Sequence, residues 1–146
     1  MNLITPRLLI TDDDRDFRET VAGVLVQRGF ETLQAADGDE ALDILGKREV
    51  HLLLLDMQMP RLSGLETIER LRESPNLRYR QPDSEASSRS TIPLPWILIS
   101  AALDEQIIAR ARAAAAFSVL PKPVRLPELT GAVSSALAQA YGWRAA

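Results

Sequence analysis

Three acids, a hydroxyl and an amine recur in this chain at one kind of place, just past the C-terminal end of a short apolar run. Asp12 and Asp13 follow LLIT, Asp56 follows LLLL, Ser100 closes WILIS and Lys122 follows FSVLP. These are groups suited to phosphoryl chemistry. A phosphoryl group in transfer spreads charge over three equatorial oxygens, so the protein's work is positioning and positive charge. Mg²⁺ is the usual source of that charge and binds through one or two carboxylates while keeping several waters. Asp12, Asp13 and Asp56 supply such carboxylates, and their mutual repulsion is itself a reason to expect a cation among them. Asp56 could then serve as a nucleophile that becomes an aspartyl phosphate. Lys122 offers a compact ammonium for phosphate oxygens, and Ser100 a hydroxyl donor.

Residues so scattered converge only if each apolar run is a strand of one parallel sheet, because open α/β sheets bind ligands beyond the carboxyl ends of their strands. The pattern predicts this. Arg7 to Thr11 is a short β-like run, and Asp14 to Arg28 carries Phe17, Val21, Val24 and Leu25 at helical spacing before Gly29 stops it. Phe30 to Ala36 reads as a second strand, and Asp37 to Lys47 as a helix with Ala41, Leu42 and Leu45 facing in. His51 to Leu55 is apolar without alternation, which predicts a central strand buried on both faces. A turn over Pro60 to Gly64 leads into a helix over Leu65 to Glu73, with Ile68 and Leu71 inward. Trp96 to Ser100 is strand four, Asp104 to Ala115 an alanine-rich helix, and Phe117 to Leu120 strand five. Pro127 suits the first turn of a last helix whose Leu129, Val133, Leu137 and Ala140 share a face. Five strands alternating with five helices imply an α/β three-layer sandwich with right-handed crossovers. Only Ser74 to Pro93 breaks the rhythm. Rich in Ser, Pro and Arg, it reads as a long flexible surface insertion between helix three and strand four, with a partner-docking element as the other reading.

Composition narrows the classes. A chain of 146 residues with 46% hydrophobic content is expected to form one domain over residues 1–146. Its net charge of −3 supplies no electrostatic footprint for a phosphate backbone, so no direct nucleic-acid partner is expected. The absence of cysteine excludes a disulfide framework and a thiolate metal site, and fits a reducing compartment. The start, MNLITPRLLITDDD, lacks the charged n-region of a signal peptide, and the aliphatic run Leu52 to Leu55 is far too short to span a bilayer. The expectation is a soluble, cytoplasmic protein without a membrane partner.

The chain resembles the receiver domain of bacterial two-component response regulators. The resemblance is carried by LLITDDD with its acidic pair, LLLLDMQMPRLSG around Asp56, ILISA and LPKP, and runs from about Arg7 to Tyr141 outside the insertion. It implies a flavodoxin-like sheet of strand order 2-1-3-4-5, an order taken from the family and not from the residue pattern. It implies Asp56 as the phosphoacceptor, Asp13 as a direct Mg²⁺ ligand, Asp12 as a ligand mainly through water, and the backbone carbonyl of Gln58 as the remaining protein ligand. Ser100 and Lys122 would contact the phosphoryl oxygens, with the backbone N–H groups of Met57 and Ala101. The Lys122–Pro123 bond would be cis. The implied function is Mg²⁺-dependent phosphoryl transfer to Asp56 from the phosphohistidine of a sensor histidine kinase or phosphotransfer protein, switching the binding of a downstream protein. Such a domain is not an enzyme acting on external substrates; it assists only its own phosphorylation and dephosphorylation. With residues 142–146 as a tail, the chain would be a single-domain regulator.

One position departs from the family. Receivers commonly carry Phe or Tyr three residues before the lysine, where this chain has Val119. The usual aromatic rotamer cannot then report phosphorylation, and Phe117, on the same strand face by a period of two, is the candidate substitute. Taken singly, each site element has a duller reading: Asp12 to Asp14 as a solvated helix start, Asp-Met-Gln-Met-Pro as a strand end entering a turn, Ser100 as a helix cap, Lys122 as an exposed residue. Their joint order favours one site. His51 receives no role, and Trp96 and Met57 read as packing residues. Two other functions compete. A pseudo-receiver would share the fold and never be phosphorylated. A phosphatase of the haloacid dehalogenase type would use Asp12 and Asp14 as a D-x-D pair, but it calls for a late acidic pair near the last strand, where this chain has none, and it leaves Asp56 idle.

Overall fold

Residues 5–73 and 94–145 are described by a computed structural model of the chain, and the Ser74 to Pro93 insertion lies outside them. The strands are β1 (Arg7–Thr11), β2 (Glu31–Ala35), β3 (Leu52–Asp56), β4 (Trp96–Ser100) and β5 (Ser118–Pro121). They alternate with α1 (Arg15–Gln27), α2 (Gly38–Lys47), α3 (Gly64–Arg72), α4 (Glu105–Ala113) and α5 (Leu126–Tyr141). The sheet is parallel, in the order β2-β1-β3-β4-β5. Leu9 stands opposite both Leu33 and Leu53, Asp56 opposite Ile99, and Ser100 opposite Pro121. This register brings the ends of β1, β3, β4 and β5 to one edge.

Burial follows from the apolar runs. All five residues of β3 and of β4 are buried, as expected of strands covered on both faces, whereas edge strand β2 buries only Ala35. Leu8, Ile10, Leu52, Leu54, Ile97 and Ile99 pack with Val21 and Leu25 of α1 and Leu129, Val133 and Leu137 of α5. On the other face, Leu9, Leu53, Leu55, Trp96 and Leu98 meet Ala41, Leu45, Leu65, Ile68, Leu71 and Ala111 of α2, α3 and α4.

Caps set the helix starts. Asp14, Asp37, Ser63 and Asp104 each accept a first-turn N–H, satisfying donors that a helix end leaves free. Helix α4 stops at Ala113, earlier than its alanine run suggested. Ala115 turns left-handed at φ 66°, and the Ala114 carbonyl accepts the Arg72 guanidinium at 2.8 Å and the Trp96 indole at 3.2 Å. Helix α5 ends at the left-handed Gly142, and the Trp143 ring packs against Phe30 at a tilt of 46° with centroids 5.0 Å apart.

The reading of Phe117 needs correction. The chain bends at this residue, and extended pairing begins only at Ser118, so alternation does not reach back to it. Phe117 packs in the same core as Leu120, while Val119 packs in the opposite one. It cannot stand in for an aromatic at Val119.

His51 helps close the other end of the sheet. Its Nδ1 accepts the Arg7 N–H at 3.0 Å, and its carbonyl accepts the Tyr141 hydroxyl at 2.8 Å. Among the described residues, no helix is long and apolar enough to cross a membrane.

Candidate functional site

At the carboxyl edge of the sheet, the end of β1 leads into Asp12, 1% exposed, and the exposed Asp13. The turn is braced twice. Asp12 Oδ1 accepts the Asp14 N–H at 2.9 Å, and the Asp12 carbonyl accepts the guanidinium of Arg18 at 2.8 Å. Arg18 also donates to Gln34 at 3.1 Å, which ties α1 and β2 to the acidic turn. Sequence reasoning missed Arg18, because nothing in helical periodicity says that a polar residue reaches back to a carbonyl.

Lys122 arrives from the link between β5 and α5, held by a bond from its N–H to the Ser100 carbonyl at 2.9 Å. The Lys122–Pro123 bond is cis. The ammonium lies 2.6 Å from Asp12 Oδ2, 3.4 Å from Asp56 Oδ1 and 4.5 Å from the centroid of the Phe17 ring. Burial disfavours its charge, but the hydrogen bond it donates to Asp12 and the charges of Asp56 and Asp12 outweigh burial and raise its pKa.

Asp56 closes the fully buried β3. Its side chain is 3% exposed, and its Oδ1 is buried without a hydrogen-bond partner despite the nearby ammonium. Burial first, then the charge of Asp12, push its pKa up to about 6 against the opposing pull of Lys122. Carboxylate oxygens of Asp12, Asp13 and Asp56 all lie within 4.8 Å of one another. When all are ionised, one ammonium balances only part of their charge, and an all-oxygen acidic donor set with an unpartnered buried oxygen suits a hard divalent cation such as Mg²⁺.

Asp56→Asn should therefore stabilise the metal-free protein at neutral pH. Ionised Asp56 costs folding because its pKa moves from 3.8 to about 6. At about 1.4 kcal/mol per unit, discounted for an edge open to water, the expected gain is about 1–2 kcal/mol. The gain should shrink below about pH 6, since the folded wild type then binds a proton that the unfolded chain takes up only near 3.8. Urea titrations in a chelator at two pH values measure it; a variant less stable than wild type at pH 7 contradicts it.

Ser100, 1% exposed, ends β4. Its Oγ accepts the Ala102 N–H at 3.1 Å and faces the Gln58 side-chain amide, with Nε2 at 2.9 Å and Oε1 at 3.1 Å. The same Oε1 accepts the Ala101 N–H at 3.3 Å. The Met57 N–H donates to the Ile99 carbonyl at 2.8 Å, so any contact from it to a phosphoryl oxygen would exchange that bond. Sequence reasoning gave Gln58 a part only through its backbone carbonyl. Half-buried Val119 packs against the core on the α2, α3 and α4 side. The loop after β3 is fastened by the Gly64 N–H on the Met57 carbonyl at 3.0 Å and by a capping box between Ser63 and Glu66.

A parallel sheet in this order, with an acidic cluster meeting a lysine at its carboxyl edge and a buried hydroxyl ending the neighbouring strand β4, defines a class of signalling domain. The sequence profile of the response regulator receiver domain matches residues 8–134, and the chain belongs to that family, the receivers of two-component systems. Members act as signalling domains and not as classical enzymes, together with histidine kinases or phosphotransfer proteins. A response regulator receiver protein of Anaeromyxobacter is 34% identical over 123 residues, covering 84% of this chain and 45% of that protein. Response regulator MprA of Mycobacterium sp. (strain KMS) is 34% identical over 119 residues, covering 73% of this chain and 49% of that protein. The chain thus spans about half the length of these curated relatives. A response regulator receiver protein structure from Pseudomonas putida superposes with a TM-score of 0.75 at 25% identity, covering 92% of this chain and 99% of that one. A CheY-like receiver domain from Methanospirillum hungatei reaches 0.79 at 21% identity, covering 95% and 98%, a likeness of fold.

Proposed function

We propose that Asp56 is the phosphoacceptor of a two-component phosphorelay, taking a phosphoryl group from the phosphohistidine of a sensor kinase or phosphotransfer protein in the cytoplasm. The resulting aspartyl phosphate changes the binding of a downstream protein, and residues 1–146 act as one receiver unit. The observation that carries this reading is the Asp56 carboxylate itself, buried with an unpartnered oxygen, 3.4 Å from the Lys122 ammonium and clustered with Asp12 and Asp13.

With a pKa near 6, Asp56 is mostly ionised at neutral pH and available as a nucleophile. Its oxygen forms the new bond to phosphorus while the bond from phosphorus to the imidazole nitrogen breaks, and the electron pair returns to the imidazole. Lys122 turns from Asp12 and Asp56 to the phosphoryl oxygens, and Ser100 with the Ala101 N–H donates to the others. Asp12, Asp13, Asp56 and the carbonyl of Gln58 would hold Mg²⁺, which when bound neutralises the charge of the transferring group.

Incubation with acetyl phosphate and Mg²⁺, read by intact mass, tests the proposal. A single phosphoryl adduct is expected in the wild type and none in Asp56→Asn. A pseudo-receiver would stay unlabelled, and a phosphatase using Asp12 would keep its label in the variant.

A further inference from the structure

Two of the groups that the proposed function assigns to phosphoryl oxygens are held by one side chain. The Gln58 amide spans the Ser100 hydroxyl, with contacts of 2.9 and 3.1 Å, and takes the Ala101 N–H at 3.3 Å. Gln58 is exposed, whereas Ser100 is 1% exposed, so the amide covers the hydroxyl from the solvent side. The Ala102 N–H on Ser100 Oγ at 3.1 Å fills a further position on that oxygen. The hydroxyl is therefore fully engaged, and a phosphoryl oxygen reaches it only after Gln58 leaves.

We propose that Gln58 is a positioning residue that gates loading of the site: its side-chain amide occupies the Ser100 hydroxyl and the Ala101 N–H until an incoming phosphoryl group displaces it. This rests on Asp56 being the phosphoacceptor. The gate costs the loaded state the bonds that Gln58 gives up, and it pulls Ser100 back when the phosphoryl group leaves. It lies on the side chain alone, separate from the backbone carbonyl through which residue 58 would meet the cation.

Gln58→Met keeps the length and the carbonyl but removes the amide, and Gln58→Ala serves as a second variant. The probe is Mg²⁺ with beryllium fluoride, a stable stand-in for the phosphoryl group, measured by calorimetry. The loss of competing hydrogen bonds should tighten its binding about tenfold in both variants. Affinity for Mg²⁺ alone is measured in parallel, so that any change at the carbonyl of residue 58 is separated from the release of Ser100 and Ala101. In the absence of either ion, the Ala101 amide should exchange with solvent faster in the variants. If the wild type binds the probe and the variants bind it no better, or if Ala101 exchange is unchanged, the gate is wrong and the assignment of Asp56 stands. If no protein binds the probe, both fall.

Discussion

Lys122→Met is expected to cost the metal-free protein about 2–3 kcal/mol at pH 7, with most of the loss recovered near pH 5 or on adding Mg²⁺. Removing one partner of a buried ion pair leaves the other charge uncompensated, and a fully buried case costs about 3–5 kcal/mol. The lower figure applies here because the Lys122 side chain is 20% exposed, although Asp12 and Asp56 are only 1% and 3% exposed. Methionine keeps the apolar stem beside Phe17, so the change is chiefly one of charge. Without Lys122, the influence that holds the Asp56 pKa down is gone, and its proton would bind at higher pH than the present value of about 6. The folded variant therefore takes up protons that its unfolded chain does not, and its deficit narrows as pH falls from 7. Mg²⁺ would narrow the deficit by another route, by binding the folded state alone. Urea denaturation at pH 7 and pH 5, in chelator and in Mg²⁺, measures each part. A deficit indifferent to pH and cation would mean that Lys122 contributes packing and not charge. Asp56→Asn should move stability the opposite way in chelator, so the two variants together separate surplus negative charge from simple damage to the site.

The parts of this site readable in the sequence are those set by strand periodicity. Leu52–Asp56 is buried throughout because its run is apolar without alternation, and that pattern alone places Asp56 at the end of a central strand. The same logic finds Asp12, Ser100 and Lys122, since each ends or directly follows a strand whose register is tied to its neighbour's. Periodicity fails where the chain leaves regular backbone. Counting in twos puts Phe117 on the Val119 face, but the bend before Ser118 sends it to the other core. The Gln58 amide on Ser100 depends on how the loop after β3 folds back over β4, a contact between residues 42 positions apart. Arg18 reaching the Asp12 carbonyl and Trp143 packing against Phe30 are tertiary contacts of the same kind. Residues 142–146 read as a tail for that reason, though Trp143 packs against a core residue.

Gly64→Ala should damage both fold and site, by about 3 kcal/mol. A Cβ at Gly64 would lie 2.6 Å from the Asp56 carbonyl oxygen, 3.1 Å from the Met57 Cα and 3.0 Å from Leu98 Cδ1. Leucine can turn aside, but the backbone of β3 cannot, so the start of α3 must move away from the strand. That motion pulls on the Gly64 N–H bond to the Met57 carbonyl, 3.0 Å long, and on the loop that carries Gln58. Overpacking a tight contact costs about 1–3 kcal/mol and occasionally more, and the backbone of Asp56 and Met57, which cannot turn aside, puts this case at the upper end. Gly131→Ala is the matched comparison, because it is exposed within α5 and its Cβ would meet nothing within 4 Å. There the helix should gain about 0.5–1 kcal/mol. Urea denaturation of both variants would show opposite signs, and only Gly64→Ala should lose the stabilisation by Mg²⁺ expected of the wild type. A Gly64→Ala protein as stable as wild type would mean that α3 does not press on the Asp56 carbonyl, and the close packing that seats the loop beside the acidic pocket would have to come from elsewhere.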